Sequence, residues 1–210
     1  MPRRRNADLH GNVPDASPVA LLIVDAINDM EFEGAEGMVA RAVRMARAIA
    51  ALKRRTSAAG IPTIYVNDNF GRWRSDFRRL VTHCLEDGVR GRPVVEQLLP
   101  DEDDYFVLKP KHSGFYNTTL DLLLEHLQVE TLIITGMATD VCVLFTAADA
   151  YIRDLRVIVP SDCVTALTPA AHRTALDQMK RALKARVVAS PRLQPGQLTR
   201  RARRRTSKRS

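Results

Sequence analysis

The chain is predicted to be an α/β protein: a single three-layer α/β/α domain around a six-stranded, mostly parallel, Rossmann-like sheet. Three observations predict this. Short apolar runs alternate with amphipathic stretches of ten or more residues. The runs are continuous rather than alternating, as in strands buried on both faces. The 210 residues suit one domain with its own core, and no repeat or internal linker divides them.

Pro18 to Val24 reads as the first strand and ends at Asp25. Residues 37–59 carry Val39, Val43, Ala46, Ile49 and Leu52 at helical spacing, and Gly60 stops that helix. Ile61 to Val66 is the second strand and opens into a loop holding Asp68, Asn69, Phe70 and Trp73. Ser75 is a candidate cap for a helix through Phe77, Leu80, Val81 and Cys84. A short helical turn over residues 93–98 precedes Pro100. Tyr105 to Leu108 is the third strand and runs into Lys109. Asn117 is placed to cap a helix over 118–127, whose leucines at 120, 123, 124 and 127 share one face. Thr131 to Thr135 is the fourth strand. Gly136 then turns the chain, and Thr139 or Asp140 starts an alanine-rich helix to Asp154. Arg156 to Val159 is the fifth strand, residues 169–185 the next helix, and Arg186 to Ala189 the sixth strand. The domain is expected over residues 15–191. It lies between a basic, disordered arm (1–14) and a basic, disordered tail (192–210).

The bulk numbers narrow the function classes. The net charge is +8, but three arginines lie in residues 1–5 and seven basic residues in 200–210. Without those ten, 22 basic residues face 24 acidic ones, so the body is not basic. The tails are read as solvated charge, with non-specific polyanion contact as the alternative. Nucleic acid is otherwise not an expected partner, because aromatics at 5% leave little for bases to stack on. No apolar run approaches the roughly 18 residues that cross a bilayer, so no membrane role is expected. No apolar segment follows the N-terminal arginines as in a secretory signal. The three cysteines, Cys84, Cys142 and Cys163, are odd in number and widely spaced. That speaks against a disulfide framework or a zinc knuckle, and the protein is expected in the cytoplasm.

In an open parallel sheet, ligands bind beyond the carboxyl ends of the strands. The residues just after the strands are Asp25, Asp68, Lys109 and the turn Gly136 to Cys142. A carboxylate, an ammonium and a thiol thus converge on one rim. A thiol at a helix start beside a lysine is expected to ionise more readily. The N–H groups of its turn can receive the oxyanion formed when it attacks a carbonyl, and Asp25 can carry the proton. The competing reading of Cys142 is a small buried apolar residue. Phosphate-binding glycine loops and a GxSxG elbow are absent from the sequence.

Three segments carry a resemblance. LLIVDAINDM, FVLKPKHSGFYNTTLDLLL and, most specifically, LIITGMATDVCVLFTAADA resemble motifs of the isochorismatase-like cysteine hydrolases, over about residues 18–190. The resemblance implies a triad of Asp25, Lys109 and Cys142. It also implies a cis peptide between Met137 and Ala138, with the N–H groups of Ala138 and Cys142 as the oxyanion hole. Homo-oligomers, dimers or tetramers, are implied too. Ile27 and Met30 replace the glutamine and phenylalanine common in the family's first motif. Nicotinamidases of the family hold a metal through an Asp-x-His motif after the second strand. Here that stretch is Asp68-Asn69-Phe70, so neither metal nor cofactor is expected.

Met137, Asn69, Phe70, Trp73 and Phe32 are candidate substrate-binding residues. Trp73 serves equally as a packing or subunit-contact residue, and Phe32 as core. His112 is read as a loop residue and Asp140 as a charge at the helix start. The function expected is hydrolysis of a small amide, ureido or carbamoyl C–N bond through a thioester. The alternatives are vinyl-ether hydrolysis with Asp25 as the acid, and a non-catalytic scaffold whose tails bind a polyanion.

Overall fold

A computed structural model describes residues 16–69 and 76–206, the last six by backbone alone. Phe70, Trp73, Ser75 and the N-terminal arm lie outside the described residues. In chain order the elements are β1 (Val19–Val24), α1 (Val39–Ala58), β2 (Thr63–Asp68), α2 (Phe77–Glu86), α3 (Arg92–Val95), β3 (Tyr105–Lys109), α4 (Leu120–His126), β4 (Thr131–Met137), α5 (Leu144–Ile152), β5 (Arg156–Pro160), β6 (Val164–Thr165), α6 (Pro169–Ala182), β7 (Arg186–Val188) and α7 (Pro195–Thr206).

The strands form one sheet in the order β3-β2-β1-β4-β5-β7, with β6 paired to β4. Every pairing is parallel. The expectation of six strands is corrected to seven. The addition is the two-residue β6, Val164 and Thr165, opposite Gly136 and Met137. Two residues are too short for a periodicity signal, so the sequence reads there as loop.

Because side chains alternate along a strand, β1 feeds two cores. Val19, Leu21 and Ile23 pack with Met45, Ile49 and Leu52 of α1, Phe77 of α2 and Val94 of α3. Ala20, Leu22 and Val24 pack with Leu120 of α4, Ala147 of α5 and Met179 of α6. Each fully buried aliphatic side chain contributes roughly 1.5–3 kcal/mol. β1 thus contributes side chains to both layers of the core.

The strand order reverses between β1 and β4, and their contact is unusually close at its carboxyl end. A Cβ on Gly136 would lie 1.9 Å from the Val24 carbonyl oxygen, and the residue has φ +111°. Only glycine fits there.

Several local expectations shift. Asp76 caps α2, its carboxylate accepting the Arg78 N–H at 2.8 Å. Asn117 adopts φ 50° instead of capping, and Thr118 accepts the Leu120 N–H at 3.1 Å. The stretch expected as a disordered tail contains α7. Leu193 is buried and Leu198 packs on the α1-side core, while Pro195 occupies the helix start, where its missing N–H costs nothing. Arginines crowd the remaining positions and hide this apolar anchor from a periodicity reading.

Candidate active site

The carboxyl ends of β1, β3 and β4 bring three of the expected side chains together. Lys109, the last residue of β3, is fully buried. Its ammonium lies 2.7 Å from Asp25 Oδ2 and 3.5 Å from Asp68 Oδ2. It also donates to the Lys111 carbonyl at 3.1 Å and approaches Cys142 Sγ at 3.5 Å. Burying a lysine is costly unless it is paired and hydrogen-bonded, and these four contacts supply that.

Asp25 follows β1 and is 6% exposed. Its φ of 48° is a conformation that aspartate tolerates better than most residues. Its N–H donates to the Val66 carbonyl at 2.9 Å. Its Oδ1 accepts the Asp68 N–H at 2.7 Å, so the end of β2 holds the carboxylate between Lys109 and the thiol. Burial raises the Asp25 pKa above the usual carboxylate range, against the opposing pull of Lys109 and of hydrogen bonds from Cys142, Lys109 and the Asp68 N–H. Lys109 is itself held above the ordinary lysine value. Burial pulls it down, and Asp25, Cys142 and Asp68 outweigh that.

Cys142 does not open an α-helix. It lies within a π-helical turn, Thr139–Val143, and α5 begins only at Leu144. The thiol is pushed up to about 12, first by burial and then by the facing Asp25 carboxylate, with Lys109 pulling the other way. The expectation that this thiol ionises more readily is corrected in direction. Desolvation and a neighbouring anion outweigh the lysine. Cys84 and Cys163 are fully buried in the core, and burial pushes both thiols up to about 12.

The Met137–Ala138 peptide is cis. The Ala138 carbonyl accepts the Val141 and Val143 N–H groups, both at 3.1 Å. Thr139, beside it, is fully buried and bonds His172 Nδ1 at 2.9 Å.

The other expected residues divide. Asn69 is buried at the rim, its N–H donating to the Lys109 carbonyl at 3.0 Å. Phe32 is exposed in the β1–α1 loop, not core. The Met137 side chain packs in the α1-side core beside β1.

His112, read from the sequence as a loop residue, lies beside the sulfur. Its Nδ1 lies 3.9 Å from Cys142 Sγ, and its ring packs on Phe145 at 5.7 Å between centroids. The signal available was its place three residues after Lys109.

Among the described residues, no group of three His, Cys, Asp or Glu side chains converges as a metal site would need. Asp68 Oδ2 lies 3.5 Å from the Lys109 ammonium. A cleft of about 440 Å³ lies at the opposite, amino-terminal ends of β4 and β5, lined by Thr131, Arg156 and Leu198. Another, of about 330 Å³, lies between α1 and α6 and is lined by Arg41, Arg44 and His172. Neither is lined by Asp25, Lys109 or Cys142, so the rim geometry, not cleft size, marks the site.

An open parallel sheet with a carboxylate, an ammonium and a thiol on its carboxyl rim defines a class of α/β hydrolytic protein. The family model for the isochorismatase domain matches residues 19–190, and the chain belongs to the isochorismatase family, whose members are hydrolases. It is 39% identical over 168 residues to the isochorismatase family protein YaaI of Bacillus subtilis, covering 80% of this chain and 92% of that one. It is 30% identical over 191 residues to the ureidoacrylate amidohydrolase RutB of Methylorubrum extorquens, covering 75% and 73%. Among solved structures, the N-carbamoylsarcosine amidase of Thermoplasma acidophilum superposes with a TM-score of 0.65 at 27% identity. That match covers 83% of this chain and 98% of the other. No helix among the described residues is long and apolar enough to cross a membrane.

Proposed function

We propose that this protein is a cysteine hydrolase acting on a C–N bond of a small amide, ureido or carbamoyl compound. One observation carries the reading: Lys109 lies 2.7 Å from Asp25 and 3.5 Å from Cys142, a triad drawn from three chain segments. The amidohydrolase and amidase names of the relatives support it.

Asp25 takes the Cys142 proton as the sulfur attacks the substrate carbonyl carbon. The N–H groups of Ala138 and Cys142 receive the oxyanion, an effect worth about 10²–10³ in rate per donor. The tetrahedral adduct collapses, the C–N bond breaks, and Asp25 returns the proton to the departing nitrogen. Water then cleaves the thioester, releasing the acid and restoring the thiol. Lys109 keeps Asp25 ionised and stabilises sulfur as charge develops on it. Asn69 and Phe32 are the described residues assigned to the substrate side in this reading. The three free thiols support a cytoplasmic setting, and exposed Phe106, Leu122 and Ile152 support a homo-oligomer.

The test is Cys142→Ala against a panel of small amides and ureides, with intact-mass analysis of the wild type. An acyl adduct on Cys142 and a loss of about 10³-fold or more are expected. Undiminished amide turnover in Cys142→Ala would remove the nucleophile from the scheme. Ether cleavage that survives Cys142→Ala but not Asp25→Asn would make the protein a vinyl-ether hydrolase instead.

A further inference from the structure

The cavity of about 330 Å³ between α1 and α6 carries charge that the chemistry of the rim does not use. Arg41, Arg44, Met45 and Ala48 line it from α1. Their spacing of three, four and seven residues puts them on one stripe of that helix. Val164 and Ala166 add apolar surface beside them. The space therefore combines two guanidinium groups with partly apolar walls.

Those guanidinium groups are not neutralised from within the fold. Arg41 donates from one terminal nitrogen to the Leu167 carbonyl at 2.6 Å. Its Nε is buried and has no hydrogen-bond partner among the described residues, an unfavourable state for a donor that belongs to a cation. Arg44 is exposed and makes no hydrogen bond or ion pair with a described residue. The one carboxylate that lines the cavity, Asp162, is engaged elsewhere. Its Oδ1 accepts the Ser190 N–H at 2.6 Å and its Oδ2 accepts the Ser190 hydroxyl at 2.7 Å. Two cations against one occupied carboxylate leave the cavity positive. His172 also lines it, and Thr139 already takes the Nδ1 of that ring at 2.9 Å. Nε2 is the ring nitrogen left open to a ligand.

We infer that this cavity is a second binding site, made for a small organic oxyanion. The acidic head, a carboxylate or a phosphate ester, is held by Arg41 and Arg44, because guanidinium forks match the oxygens of such groups. The body of the ligand rests on Met45, Val164 and Ala166. An inorganic ion would leave most of the space empty, whereas about 330 Å³ suits a small organic molecule. The site is independent of the cysteine-hydrolase reading, since Asp25, Lys109 and Cys142 do not line it.

The test is calorimetric titration of the full-length protein with benzoate, phenyl phosphate and phenol. Saturable binding of at least one acid at one site per chain is expected, with none of phenol. Binding of benzoate alone assigns a carboxylate ligand, and binding of phenyl phosphate alone assigns a phosphate ester. Arg44→Gln should weaken the bound acid about tenfold or more, the loss expected for one charge-assisted hydrogen bond. Arg41→Gln should weaken it at least as far. Arg44 holds no described neighbour, so its variant keeps the test decisive even if Arg41→Gln fails to fold. Absence of saturable binding by either acid overturns the inference. So does phenol binding as tightly as the acids, because the cations then contribute nothing. Wild-type affinity in Arg44→Gln and in every folded Arg41→Gln preparation also overturns it, placing the anion on the rim or on the basic residues of 200–210.

Discussion

Asp25 is useful because its burial and its partner oppose each other. The carboxylate must be ionised to take the thiol proton. Its activity is therefore present above its own pKa and lost as pH falls through it. Burial raises that pKa and Lys109 lowers it, so the acid limb of kcat/KM is expected above the ordinary carboxylate range. In Lys109→Met the opposing charge is gone, and the acid limb should move to still higher pH while kcat/KM falls about 10²-fold or more. A pH profile of both proteins checks this, and an unmoved acid limb would separate Lys109 from Asp25. The alkaline side should stay flat well past neutrality, since Lys109 is held above its ordinary value and burial and Asp25 push the thiol up to about 12. Asp25 and Lys109 were legible in the sequence because each directly follows or ends an apolar run, and Cys142 because it closes the turn after the fourth strand. The upward shift of the Cys142 thiol was not, because it depends on how deeply three separate segments bury one another. His112 was illegible for a related reason: its distance to sulfur is set by contacts of Ser113, Gly114 and Phe115 with a helix about thirty residues further on.

Among the elements, α1 has the clearest polar anchor. Lys53, on its buried face, reaches Asp104 at 2.5 Å and Asp101 at 3.0 Å. It also donates to Tyr65 Oη on β2 at 3.2 Å, and Tyr65 donates to the Leu98 carbonyl at 2.9 Å. One ammonium thus ties a helix, a strand and the turn before β3. Truncating it leaves the Asp104 carboxylate nearly buried without its cation. Lys53→Met should cost about 3 kcal/mol of stability, read as a lower midpoint in urea with an unchanged slope. Turnover of small amides should be unaltered in the absence of denaturant, since none of these groups touches the rim. Helices and strands with long apolar patterns were readable from spacing. The exceptions were β6, which is too short to have a pattern, and α7, whose leucine anchor is diluted by arginine.

At the scale of the whole molecule, the order β3-β2-β1-β4-β5-β7 leaves β3 and β7 as edges, and Phe106 on β3 is 57% exposed. It stacks on Phe77 at 5.4 Å and so offers a rigid apolar surface at that edge. Light scattering should return a multiple of the 23.5 kDa chain mass, and a single-chain mass across the micromolar range would remove the oligomer from the proposal. The alternation of apolar runs and helices foretold the layers and the parallel sheet. It did not foretell how closely β1 and β4 meet at Gly136, because a close approach is a property of two distant segments and neither records it alone. The same separation governs when the chemistry can appear. Asp25, Lys109 and Cys142 are contributed across four adjacent strands, with the end of β2 wedged between the first two, so no fragment that stops short of β4 carries the whole site. A refolding population should recover turnover only as those strands come into register, which makes the catalytic assay a clock for assembly of the middle of the sheet.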